Sequence, residues 1–117
     1  MKKANLRVLL YAPKTERFCR LTAHIKKGSA INKKYIQSDI TATGTELNKF
    51  APDGSLREGA NAPQWLIDEV NQFHTCCIKV ASLYDLNGTL IDTPSRVLTD
   101  RVRQMLFENK TDKALRI

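Results

Sequence analysis

Acidic side chains are nearly missing from the first third of this 117-residue chain: between residues 1 and 38 only Glu16 carries a carboxylate. The same stretch holds ten basic groups, Lys2, Lys3, Arg7, Lys14, Arg17, Arg20, Lys26, Lys27, Lys33 and Lys34, and so carries +9. The rest of the chain has nine basic and eleven acidic groups, or −2, within a total of +7. An evenly spread +7 would read as a solvated, solubilising surface. Confined to one third of the chain, it sets up a field that favours a polyanion through counterion release and electrostatic steering.

Other absences narrow the possibilities further. No apolar run approaches the ~20 residues that a membrane-spanning helix needs. The apolar stretch after Lys2 and Lys3 is too short and interrupted for a signal peptide, so no membrane partner is indicated. There are three cysteines, Cys19, Cys76 and Cys77. An odd number with one adjacent pair is no disulfide framework and points to a reducing compartment, the cytoplasm. The only histidines are His24 and His74, without the Cys-x-x-Cys or His-x-x-x-His spacing of a zinc site, so neither a metal nor another cofactor is expected. Cys76 is expected to be partly exposed and Cys77 to be core. Catalytic signatures are lacking as well: no Gly-x-Ser-x-Gly elbow, Walker loop or dinucleotide fingerprint occurs. His74 and Cys76, two residues apart on a helix, would point to different sides. The chain is therefore not expected to be an enzyme.

What is present patterns cleanly. Hydrophobic residues make up 42% of the chain and charged residues 26%, ordinary for a packed domain of this length. Residues 6–12 form a short apolar run stopped by Pro13, the mark of a strand. Residues 17–27 alternate: Cys19, Leu21, Ala23 and Ile25 point one way, and Phe18, Arg20, Thr22, His24 and Lys26 the other. After a Lys27-Gly28-Ser29 turn, residues 31–41 alternate again. Ile36 and Ile40 fall on the core side, with Lys33, Tyr35 and Gln37 opposite. Lys34 counts to the core side and must sit at the sheet margin. Arg7, Leu9 and Tyr11 are placed outward.

Residues 42–62, rich in Gly, Asn, Asp, Ser and Pro, read as a loop without regular structure. Helical spacing follows over 63–84, with Asn61 as cap and Leu66, Val70, Phe73, Cys77, Val80 and Tyr84 as the apolar stripe. Asn87 and Gly88 are its stop signals. Thr93 and Pro94 open a second helix, with Leu98, Val102 and Met105 inward and a frayed end over 110–117. The expected fold is α+β: a three-stranded antiparallel sheet followed by two helices, the helices on one face of the sheet and the other face left open and basic.

That open face is the candidate site. Arg20, Thr22, His24, Lys26, Lys27, Lys33, Lys34, Tyr35 and Gln37 combine phosphate-binding cations with groups able to reach base edges, and a sheet can enter the major groove. The lysines would hold phosphates, and Arg20, Tyr35 and Gln37 would make groove contacts.

Taken together, the strand Arg17-Phe-Cys-Arg-Leu-Thr-Ala-His-Ile25, the Lys27-Gly28 turn, the strand Lys33-Lys-Tyr-Ile-Gln-Ser-Asp-Ile-Thr41, the stretch Leu66-Ile-Asp-Glu-Val-Asn-Gln-Phe73 and the helix start Thr93-Pro-Ser-Arg-Val-Leu98 resemble a known pattern. It is that of the N-terminal arm-type DNA-binding domain of tyrosine recombinases, the integrases of phages and conjugative transposons, in particular those of Bacteroides-type mobile elements. The resemblance implies a sheet that binds arm-type sites on double-stranded DNA, with Arg20, Thr22, His24, Lys33, Tyr35 and Gln37 toward the DNA. It also implies other integrase protomers as partners, and DNA integration and recombination as the setting. Leu47-Asn48 stands where that family usually has a Trp, and the 42–62 loop is longer than its pattern. The family's catalysis lies in a later domain with an Arg, His-x-x-Arg and Tyr set, and no His-x-x-Arg occurs here. The expectation is a domain over 1–84, with 85–117 a second helix and a linker toward a core-binding domain, the chain being the start of a longer integrase. Two alternatives stand beside it: a double-stranded RNA-binding module, and a protein-interaction module using the stripe of helix 63–84 around Trp65 and Phe73.

Overall fold

The computed structural model describes residues 6–28 and 33–115, with side chains through residue 110. Three strands, β1 (Leu6–Tyr11), β2 (Phe18–Lys27) and β3 (Lys33–Thr43), form one antiparallel sheet in the order β1-β2-β3. A one-turn helix α1 (Gly44–Leu47) follows, then α2 (Gln64–Leu86) and α3 (Ser95–Leu115). The architecture is α+β, a sheet with helices on one face.

Alternation fixes the two faces. Leu21, Ala23 and Ile25 of β2 are buried, as are Val8 and Leu10 of β1 and Ile36, Ile40 and Ala42 of β3. Against them α2 lays Leu66, Val70, Phe73, Cys77 and Val80 at helical spacing. The pairing of β2 with β3 slips between Arg20 and Thr22: Arg20 opposes Thr41, whereas Thr22 opposes Gln37. Three residues of β3 therefore stand across from Leu21 alone. A slip of two keeps every side chain on its own face, so the irregularity costs no inversion of the pattern. Ser38, within it, is buried, and its hydroxyl accepts a hydrogen bond from the Ile40 backbone N–H at 3.1 Å.

Several expectations are corrected. The third strand runs on to Thr43, while residues 31 and 32 lie outside the described residues. The 42–62 segment is ordered: the Thr43 hydroxyl accepts from the Glu46 N–H at 3.1 Å to cap α1, and Phe50 bridges Leu56. Gly44 is there for closeness. A Cβ on it would lie 2.1 Å from the Pro13 carbonyl oxygen and 2.7 Å from backbone atoms of Thr15. Asn48 ties the same corner, its amide donating to the carbonyls of Ala12, Pro13 and Gly44. Gly28, at φ 63°, takes the left-handed turn after β2 that a Cβ would disfavour.

At the helix ends, Pro63 rather than Asn61 occupies the cap of α2, with no side-chain bond. The Thr93 hydroxyl donates back to the Thr89 carbonyl at 2.7 Å. The frayed end expected from residue 110 is helical through Leu115, and residues 116 and 117 lie outside the described residues. The boundary expected after residue 84 falls inside a single buried cluster, because Leu90, Leu98 and Val102 pack with α2 and the sheet.

Both sheet edges are occupied. On β1, Val8 C=O accepts from the His74 Nε2–H at 2.9 Å, and the Leu10 N–H donates to Pro52 C=O at 2.8 Å. On β3, the Tyr35 N–H donates to the Ser95 hydroxyl at 3.1 Å, and Arg103 pairs with Asp39 at 3.1 Å. The α3 helix thus runs alongside β3 in the same direction. Edges closed in this way are poor templates for adding another strand, which leaves the outer face of the sheet as its accessible surface.

Candidate nucleic-acid interface

Cross-strand register turns the outer face into rows. Arg7 lies opposite Lys26, and Lys26 opposite Lys33, so three cations cross all three strands side by side. The next row is Leu9, His24 and Tyr35, and the next Tyr11, Thr22 and Gln37. Arg20 stands beyond, opposite Thr41. Like charges placed directly opposite in a sheet destabilise it. Among the described residues Arg7, Lys26 and Lys33 make no ion pair with a carboxylate. The acid of this face nearest to them along β3, Asp39, is engaged by Arg103.

The middle rows are aromatic. The His24 ring lies between two tyrosines, its centroid 4.5 Å from that of Tyr11 and 4.7 Å from that of Tyr35, the latter in an edge-on arrangement. Lys26 Nζ sits 5.6 Å from the Tyr11 ring centre, close enough for a cation–π contact. Tyr11 and Tyr35 remain 39% and 49% exposed. Partial burial between these rings, then the charges of Lys26 and Lys33, hold the His24 pKa below the ordinary histidine value. The Arg20 guanidinium donates to the Gln37 side-chain oxygen in a long contact of 3.4 Å.

Seven of the nine residues expected at the site share this face: Arg20, Thr22, His24, Lys26, Lys33, Tyr35 and Gln37. Lys27 and Lys34 do not. Lys27 has the parity of the buried positions and pairs with Asp85 at the end of α2. Lys34, opposite Ile25, is half-buried on the helix side. Arg7 and Tyr11, expected to point outward but not counted among the site residues, join the surface through β1 despite the continuous run Val8-Leu9-Leu10. Phe18, 74% exposed, stands at the far end of β2.

The remaining chemistry is sparse. Cys76, expected to be partly exposed, is buried where α3 packs on α2, and the Asn109 amide approaches its sulfur at 3.6 Å. Burial pushes the thiol pKa of both Cys76 and Cys77 up, which makes them poor nucleophiles. The α2 stripe proposed as a partner surface is in the core, Phe73 being only 2% exposed, although Trp65 is outside. Among the described residues no group of three His, Cys, Asp or Glu is placed to hold a metal ion, and no helix is long and apolar enough to cross a membrane.

Compared with protein-family models, with curated proteins and with solved structures, the chain finds no match.

Proposed function

We propose that the chain binds double-stranded DNA through the outer face of its sheet, as the non-catalytic arm-type domain of a cytoplasmic tyrosine recombinase that assembles with other integrase protomers. The observation that carries this reading is the row Arg7–Lys26–Lys33. Three cations held opposite one another, with no carboxylate paired to them among the described residues, work against the sheet on its own, and a polyanion laid across them turns that repulsion into binding. Shape agrees with charge. Three strands spaced ~4.8 Å apart are about 10 Å wide at the backbone, against a DNA major groove of about 12 Å. The deep, narrow major groove of an RNA duplex is closed to such a sheet, which favours DNA over the RNA alternative.

The test is the triple variant Arg7→Gln/Lys26→Gln/Lys33→Gln, titrated with duplex DNA over a range of salt beside an RNA duplex of the same sequence. Each lost phosphate contact removes roughly 0.9 from the slope of log affinity against log salt, so the variant should lose about 2.7. Its thermal stability should not fall, since the like-charge row is relieved. A slope unchanged from the parent, or tighter binding of the RNA duplex, would refute the proposal.

A further inference from the structure

Resting on that reading, we propose that the middle of the face selects an A·T base pair, with Gln37 reading the adenine and the Leu9, Tyr11 and Tyr35 surface receiving the thymine methyl. The inference follows from where each chemistry stands on the sheet. The cations that would read guanine are rooted at the ends: Arg7, Lys26 and Lys33 form one outer row, and the Arg20 backbone stands at the opposite end, its guanidinium turned back to Gln37. Arg20 is moreover committed in part to Gln37. A cytosine amino group calls for a carboxylate, and the one this face offers from β3, Asp39, is paired with Arg103.

Between those ends lie an amide, a hydroxyl, an imidazole and apolar surface. A glutamine amide matches adenine in two bonds, its oxygen accepting from the N6 amino group and its NH₂ donating to N7. Arg20 reaches Gln37 Oε1 at 3.4 Å, a long contact that leaves the oxygen a second lone pair and the NH₂ both its donors. Gln37 is exposed, and in its own cross-strand row it lies beyond Thr22 from Tyr11. Tyr11 and Tyr35 pack against His24, and Lys26 also approaches the Tyr11 ring, yet both tyrosines keep exposed ring surface, and Leu9 is half-buried beside them. The partner base of adenine carries the one methyl group in the major groove, and apolar contact is how proteins recognise it. Amide and apolar surface within two adjacent rows suit the two halves of one base pair.

The experiment is a selection on the parent protein from a duplex DNA pool with a randomised centre. Affinities are then measured for the enriched duplex and for copies with thymine replaced by deoxyuridine or adenine by 7-deazaadenine, each against the parent and Gln37→Ala. Gln37→Ala alters an exposed side chain, and its unfolding midpoint is checked alongside. The proposal expects enriched A·T pairs, a loss of roughly tenfold or more on 7-deaza substitution for the parent but not for Gln37→Ala, and a smaller loss with deoxyuridine for both. Enrichment of G·C pairs, or A·T enrichment that survives Gln37→Ala with equal sensitivity to 7-deazaadenine, would overturn it. Salt-dependent duplex binding with no enrichment would overturn the base selection and leave DNA binding standing. Absence of duplex binding altogether would overturn both.

Discussion

His24 carries two opposed demands. Its ring fills the space between Tyr11 and Tyr35, and Lys26 and Lys33 flank it, so burial first and those cations second lower its pKa below the ordinary 6.5. A base whose folded pKa is depressed takes up more protons when unfolded. Its contribution to stability is therefore complete above about pH 6.5 and is lost as pH falls toward the folded value. The unfolding midpoint should decline on acidification through that window, and His24→Gln should flatten the decline. Bound phosphate reverses the sign, since a polyanion favours the imidazolium: DNA affinity should rise over the same interval in the parent and not in the variant. Identical pH profiles for parent and variant in both measurements would remove His24 from the account. At this scale the sequence was legible where period two ran unbroken, as for Arg20, Thr22, His24, Lys33, Tyr35 and Gln37. It misled at Lys27, where charge outvoted parity, whereas the parity count that put Lys34 on the core side matches its half-buried place opposite Ile25. Lys27 sits on the helix side because Asp85 meets it there, and no local pattern announces a partner 58 residues away.

Among the elements, the strands and α2 were readable from their periods, because a half-buried sheet and an amphipathic helix each impose one. The α1 corner was not. Four residues are too few for a period, and its sequence signal was chemical: Thr43 and Glu46 have the spacing of a capping box. Gly44, which composition alone assigns to a flexible loop, is instead the point where β3 leaves the sheet against the Pro13–Thr15 backbone. Gly44→Ala should therefore cost about 1–3 kcal/mol in chemical denaturation, the range for forcing atoms into a packed site. A loss below about 0.5 kcal/mol, ordinary for a surface change, would mean that the corner yields freely. The length of α3 was underestimated for a related reason. Its buried contacts are the few residues Leu98 and Val102, together with its seat along β3, and these are tertiary facts more than local propensity.

At the scale of the whole molecule, charge and architecture divide together. The +9 segment supplies β1, β2 and the first half of β3, and the −2 remainder supplies the end of β3, the three helices and the edge coverings. The molecule is two layers deep, with extents of 42 × 37 × 24 Å, so the outer face of the sheet is one broad side of a slab. The division was visible in composition before any element was placed. Closure of both sheet edges by His74, Pro52 and Ser95 was not, since each comes from a distant segment. The central claim is that this broad side meets DNA, and a residue-resolved NMR titration of the labelled protein with a short DNA duplex at moderate salt tests it most directly. The account expects shifts concentrated on Arg7, Arg20, His24, Lys26, Lys33, Tyr35 and Gln37, with Lys27 and the outer side of α2 unmoved. Shifts confined to α2 around Trp65, or none on the sheet, would contradict it.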